Sequence, residues 1–111
     1  MAKRTYLSEM ELMVLLAVVR LGDQAYGVPI SKELLTLAGR EVALGSIYAA
    51  LDRLDEKGFI TSSLGDPTPE RGGRAKRYFT VTPAGVKAVK MTRAALTNLW
   101  SGIPVLEGKR S

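Results

Sequence analysis

The sequence predicts a mainly α fold with a small β-hairpin (α+β), the hairpin lying between the third and fourth of four helices. Three observations carry this reading. Apolar residues recur at spacings of three and four in four separated segments. One stretch, Lys76 to Thr82, alternates with period two instead. The chain has 111 residues, enough for one hydrophobic core and too few for two. Its 46% hydrophobic and 24% charged residues are ordinary for a globular domain. A chain this short buries only roughly 65% of its unfolded surface, so a second subunit would add stability.

The first helix is expected at about 9–21. Ser8 and Glu11 have capping-box spacing, and Gly22 follows the apolar run LMVLLAVVRL. That run is apolar on more than one stripe, which predicts burial on most sides, part of it against another subunit. The second helix is expected at about 27–37, with Pro29 in its first turn and Gly39 as its stop. Ile30, Leu34, Leu35 and Leu37 would form its buried face. Val42-Ala43-Leu44 is compatible with a very short strand. A third helix then runs over 47–57, ending at Gly58, with Leu44, Ile47, Leu51 and Leu54 as one apolar stripe. Ser46, Ala49, Ala50 and Arg53 lie off that stripe on a small, polar outer face.

Residues 59–64 read as a strand. Asp66-Pro67, Pro69 and Gly72-Gly73 supply turn formers, and the return strand carries Tyr78, Thr80 and Thr82 on one side with Phe79 and Val81 on the other. Thr82 caps the last helix and Pro83 opens it. Val86, Val89, Leu96, Leu99, Trp100 and Ile103 follow its helical period until Gly102 and Pro104. The order is a winged helix-turn-helix plus a C-terminal dimerisation helix. The expected divisions are 1–82 for the winged unit, 83–103 for the dimerisation helix and 104–111 for a flexible tail. The last helix, like the first, has more apolar surface than its own domain covers, which marks association into a homodimer.

Charge points to a polyanion. Residues 1–70 carry 7 basic and 10 acidic side chains, whereas residues 71–111 carry 9 and 1. Arg71, Arg74, Lys76 and Arg77 crowd the hairpin tip and the start of its return strand, beside glycines that let backbone approach phosphate. Double-stranded DNA is the partner this pattern fits; the alternative is a solvated basic surface with the hairpin tip a plain surface loop. Lys3, Arg4 and Tyr6 are either an arm reaching the same phosphates or a frayed terminus.

The chain has no cysteine and no histidine. Thiolate metal sites, disulfides, Cys or His nucleophile pairs and His acid–base steps are therefore excluded. Asp52, Asp55 and Glu56 sit on one solvated helix segment without a nucleophile–base pair. No catalytic residue, no metal and no cofactor is expected, and the chain is not read as an enzyme. The longest apolar run, Leu12 to Val19, has eight residues, against the roughly 20 a membrane-spanning helix needs. No membrane partner is expected, and a cytoplasmic location is the default.

These segments also resemble a known family. Tyr26-Gly27, then Gly45-Ser46-Ile47-Tyr48 with Leu51, Leu54, Lys57, Gly58 and Ile60, then Gly73-Arg74-Ala75-Lys76-Arg77-Tyr78-Phe79, and Thr82-Pro83-Ala84-Gly85 are similar to the PadR family of bacterial transcriptional regulators. The likeness spans about residues 8–101; each motif alone is weak, and their order and spacing make it specific. It implies a dimeric winged-helix repressor whose third helix reads a pseudo-palindromic operator while the wing grips phosphate. Ser46 and Tyr48 would contact DNA near the start of the third helix, with Arg53 a further contact. Tyr48 has an alternative reading, packing beside Ile47. Some relatives bind flat aromatic compounds between subunits, which implies a small aromatic effector at Trp100; the alternative is that Trp100 anchors the dimer. The chain departs from longer relatives in having one helix after the wing where they have several, so an effector would have to act at the dimer seam. A MarR-like regulator and a winged-helix protein–protein adaptor without DNA binding are the competing readings.

Overall fold

A computed structural model describes residues 6–67, 75–106 and 108. The elements in chain order are α1 (Glu9–Leu21), a 3-10 turn (Gly22–Gln24), α2 (Gly27–Ala38), α3 (Leu44–Glu56), β1 (Ile60–Pro67), β2 (Ala75–Val81) and α4 (Pro83–Trp100). The α+β class and the winged helix-turn-helix order are as the sequence predicts.

Local chemistry accounts for most boundaries. Ser8 Oγ accepts from the Glu11 N–H at 3.2 Å, and Glu11 Oε1 accepts from the Ser8 N–H at 2.8 Å, closing the capping box of α1. Gly39, at φ +64°, ends α2 in a left-handed cap that L side chains rarely adopt. Thr82 Oγ1 accepts from the Gly85 N–H at 3.1 Å and donates to the Gly58 carbonyl at 2.7 Å. One hydroxyl thus caps α4 and ties its start to the end of the α3–β1 turn. Gly85 lies so close to the Phe59 carbonyl that a Cβ there would collide with it, which fixes how tightly α4 leaves the wing base.

The core sits where α1, α2 and α3 meet the inner face of the hairpin. Leu15, Ile30, Ile47, Leu51, Leu54 and Phe79 are its largest buried side chains, together with Ile60 at the start of β1. β1 and β2 are antiparallel, pairing Ile60 with Val81 and Ser62 with Phe79, with an irregularity between Leu64 and Pro67. The Phe79 N–H donates to the Ala25 carbonyl at 2.9 Å, so the wing is bonded to the α1–α2 connection as well as to β1.

Several local expectations are corrected. No strand forms at 42–44; Ala43 is the N-cap of α3 in extended conformation, and Leu44 is the first helical residue. Leu44 is therefore on the exposed first turn and leaves the buried stripe, being 43% exposed. Ala50 replaces it inside: it is fully buried, not on the outer face. On α2 the buried stripe is Gly27, Ile30 and Leu34, spaced three and four apart. Leu35 and Leu37 are rotated off it and are exposed. The first strand runs three residues beyond 64. α4 ends at Trp100 with Ser101 as C-cap, and Ile103 and Leu106 then donate to Trp100 and Ile103 carbonyls in successive turns.

Candidate nucleic-acid interface

α3 is held from three sides. Its apolar stripe is buried in the core, its C-terminal end is tied to α1 by ion pairs, and one flank faces β2. Gly45, Ser46 and Ala49 remain exposed on its first two turns. They are small, so the backbone there can approach a partner closely, as a helix entering the roughly 12 Å wide major groove must.

The other expected contact residues are placed as follows. Tyr48 is half-buried; its ring end lies against Gly27, and its ring packs at 6.5 Å from the Phe79 ring. Tyr48 thereby sets the spacing of α3 from the start of α2 and from the wing. Arg53 points toward α1, with Nε 3.4 Å from Glu11 Oε2. Lys76 stands over the Tyr26 ring at 4.6 Å and reaches the Tyr26 hydroxyl at 3.4 Å. Tyr26 in turn meets Tyr78 edge-on at 5.4 Å. Arg77 lies 3.7 Å from Asp52 and 3.7 Å from Asp55, both on α3. Arg71 and Arg74 lie outside the described residues, as do Lys3 and Arg4.

Glu11 is the residue whose long-range role the sequence hid. It is 3% exposed and accepts from Lys57 Nζ at 2.8 Å while also completing the α1 cap. Burial pushes its carboxyl up, but the Lys57 hydrogen bond and charge, with the Ser8 backbone and hydroxyl, outweigh this and hold it below the ordinary 4.5. The signal in the sequence was the capping-box spacing alone. A partner 46 residues away leaves no local trace.

α1 and α4 together leave a broad apolar face. Only Gly85, Ala88 and Thr92 of α4 are buried, all in its first three turns. Leu96, Leu99 and Trp100 are exposed, as is Leu16 of α1. A groove of about 410 Å³ runs between Leu12, Leu16, Val89, Leu96 and Trp100. A second hollow, about 620 Å³, opens on the other side of Leu12 and Leu96, toward Tyr6 and Leu99. The Trp100 indole N–H donates to the Leu106 carbonyl at 3.3 Å. Among the described residues no helix is long and apolar enough to cross a membrane, and no acidic cluster could hold a metal ion.

The model of the transcriptional regulator PadR-like family matches residues 15–91. No curated protein matches the sequence. Among solved structures, a transcriptional regulator from Clostridium thermocellum is similar, with 25% identity and a TM-score of 0.69 over 81% of this chain and 82% of that one. A PadR family transcriptional regulator from Eggerthella lenta has 22% identity and a TM-score of 0.68, over 88% and 83%. A PadR family transcription regulator from Clostridium difficile has 19% identity and a TM-score of 0.60, over 86% and 100%. The fold and the matched residues define a DNA-binding winged-helix regulator of transcription, not an enzyme. The chain belongs to the PadR-like family.

Proposed function

We propose that the protein is a cytoplasmic homodimeric repressor that occupies a pseudo-palindromic operator. The observation that carries this is the lean, exposed start of α3 beside a cationic wing. In a two-fold dimer, two such helices enter successive major grooves about 34 Å apart. Ser46 contacts the groove, Tyr48 contacts it through the exposed part of a side chain that otherwise packs on Gly27 and Phe79, and Arg53 reaches phosphate from its place beside Glu11. Arg71, Arg74, Lys76 and Arg77 are the wing residues that contact phosphate. Residues 1–82 make the reading unit, 83–103 the dimerisation helix and 104–111 the tail.

The dimer is supported by the uncovered apolar residues of α1 and α4. At roughly 25 cal/mol per Å², a few hundred Å² of shared burial contributes several kcal/mol before association costs. Trp100 lines the groove of about 410 Å³ at that seam, where it either stacks on a flat aromatic effector or anchors the dimer. Such a ligand relieves repression only by binding one spacing of the two reading helices better than another.

Selection of bound sequences from a random duplex pool tests the reading. The expected product is a two-fold symmetric site with half-sites one turn apart; a single asymmetric motif, or no enrichment, overturns it. Wing contacts have a separate signature. Replacing Arg74 and Lys76 by alanine weakens binding to all sequences alike. In a salt titration, the slope of log K against log salt flattens by about 0.9 for each phosphate that the variant no longer neutralises. An unchanged slope removes the wing from the interface.

A further inference from the structure

Among the described cations of the wing, Lys76 stands over the Tyr26 ring, whereas Arg77 has its charge paired with carboxylates. Its guanidinium forks, with Nη1 3.7 Å from Asp52 Oδ1 and Nη2 3.7 Å from Asp55 Oδ2. Its guanidinium carbon lies 5.1 Å from the centre of the Phe79 ring, a cation–π contact that helps hold it beside α3. Both carboxylates belong to the helix that would enter the groove. Asp52 follows Ala49 by three residues and shares its outward side, with 61% of its side chain exposed; Asp55 is 44% exposed and Arg77 39%. All three groups are wet, so the pairing is weak and exchangeable. A duplex phosphate, with two charged oxygens on one group, can take the Arg77 guanidinium bidentately in place of these two longer contacts.

We propose that Asp52 and Asp55 are specificity-determining residues that neutralise Arg77 and so lower affinity for arbitrary duplex DNA. The inference rests on the reading that α3 and the wing contact DNA. If Arg77 leaves for a phosphate, two uncompensated carboxylates remain beside a polyanion. The exchange then yields almost no net charge neutralisation and almost no counterion release. Binding must be driven by contacts that only the right sequence supplies, at the small N-terminal face of α3. Discrimination here comes from a repulsive element as well as from attractive ones.

Four proteins test this: the wild type, Asp52→Asn/Asp55→Asn, Arg77→Ala, and the triple variant. Each is titrated against a fluorescein-labelled duplex of mixed sequence over a salt series, with circular dichroism to show that all four fold. The double asparagine variant is expected to bind the mixed duplex more tightly, with a slope steeper by about 0.9. Arg77→Ala alone leaves the wild-type slope nearly unchanged. The same change in the asparagine background removes the added slope. If Arg77→Ala acts equally in both backgrounds, the carboxylates are only a general repulsion and the inference is overturned. Unchanged binding by the asparagine variant overturns it too. Wild type that binds the duplex with no difference among variants sinks this inference alone. If neither the wild type nor the asparagine variant binds the duplex even at low salt, the underlying reading falls with it.

Discussion

Replacing Phe79 by alanine is expected to cost about 3–5 kcal/mol of folding stability. Phe79 is 1% exposed and is among the largest fully buried side chains of the protein. Its position makes the loss more than a cavity. The ring closes the core from the wing side and packs against Tyr48, which in turn bears on Gly27 at the start of α2. The same residue stands opposite Ser62 in the hairpin, and its N–H donates to the Ala25 carbonyl. A void there weakens the packing of α2, α3 and the hairpin together. Small domains have only about 5–15 kcal/mol in hand. The thermal midpoint should therefore drop by on the order of 15–25 °C at a fixed protein concentration. Thr80, the next residue and exposed, is the control: alanine there stays within about 0.5 kcal/mol of wild type. A Phe79→Ala melt close to that control would show that the wing is an appendage and not a wall of the core.

That dependence explains which parts of the molecule the sequence made legible. Caps and turn formers act over three or four residues, so Ser8 with Glu11, Gly39, and Thr82 with Pro83 placed their helix ends closely. The alternation around Phe79 likewise set the buried side of β2. What failed was the choice among neighbouring apolar residues. Leu35, Leu37 and Leu44 are as apolar as the buried leucines, and only the packing angle of α2 and α3 on α1 decides which turn inward. Ala50 is buried for the same reason. For the candidate interface, the cationic character of the hairpin was written in its composition. The partners of those cations were not: Arg77 with Asp52 and Asp55, Arg53 with Glu11, and Lys76 with Tyr26 are all distant in sequence. Each pairing depends on the fold being complete.

Glu11 yields the second large effect, and it carries a pH signature. Its buried carboxylate serves two elements at once, capping α1 through Ser8 and holding the end of α3 through Lys57 and Arg53. Hydrogen bonds to a charged group contribute about 1.5–3 kcal/mol each when one partner is removed. Lys57 and Arg53 are partly exposed and recover hydration when released, so the upper end for a broken buried pair does not apply. Glu11→Gln keeps the shape and the acceptor for Ser8 but loses the charge, and is expected to cost about 2–3 kcal/mol at neutral pH. The folded carboxyl titrates below its ordinary 4.5. The unfolded chain therefore takes up the proton first on acidification. The stabilisation is fully present above 4.5 and is lost as pH falls through the folded value. Urea unfolding of both proteins from neutral pH downward should show two curves that are parallel above 4.5 and converge below it. A gap that stays constant into acid would mean that the glutamine variant suffers from altered packing and that the Glu11 charge does not link α3 to α1.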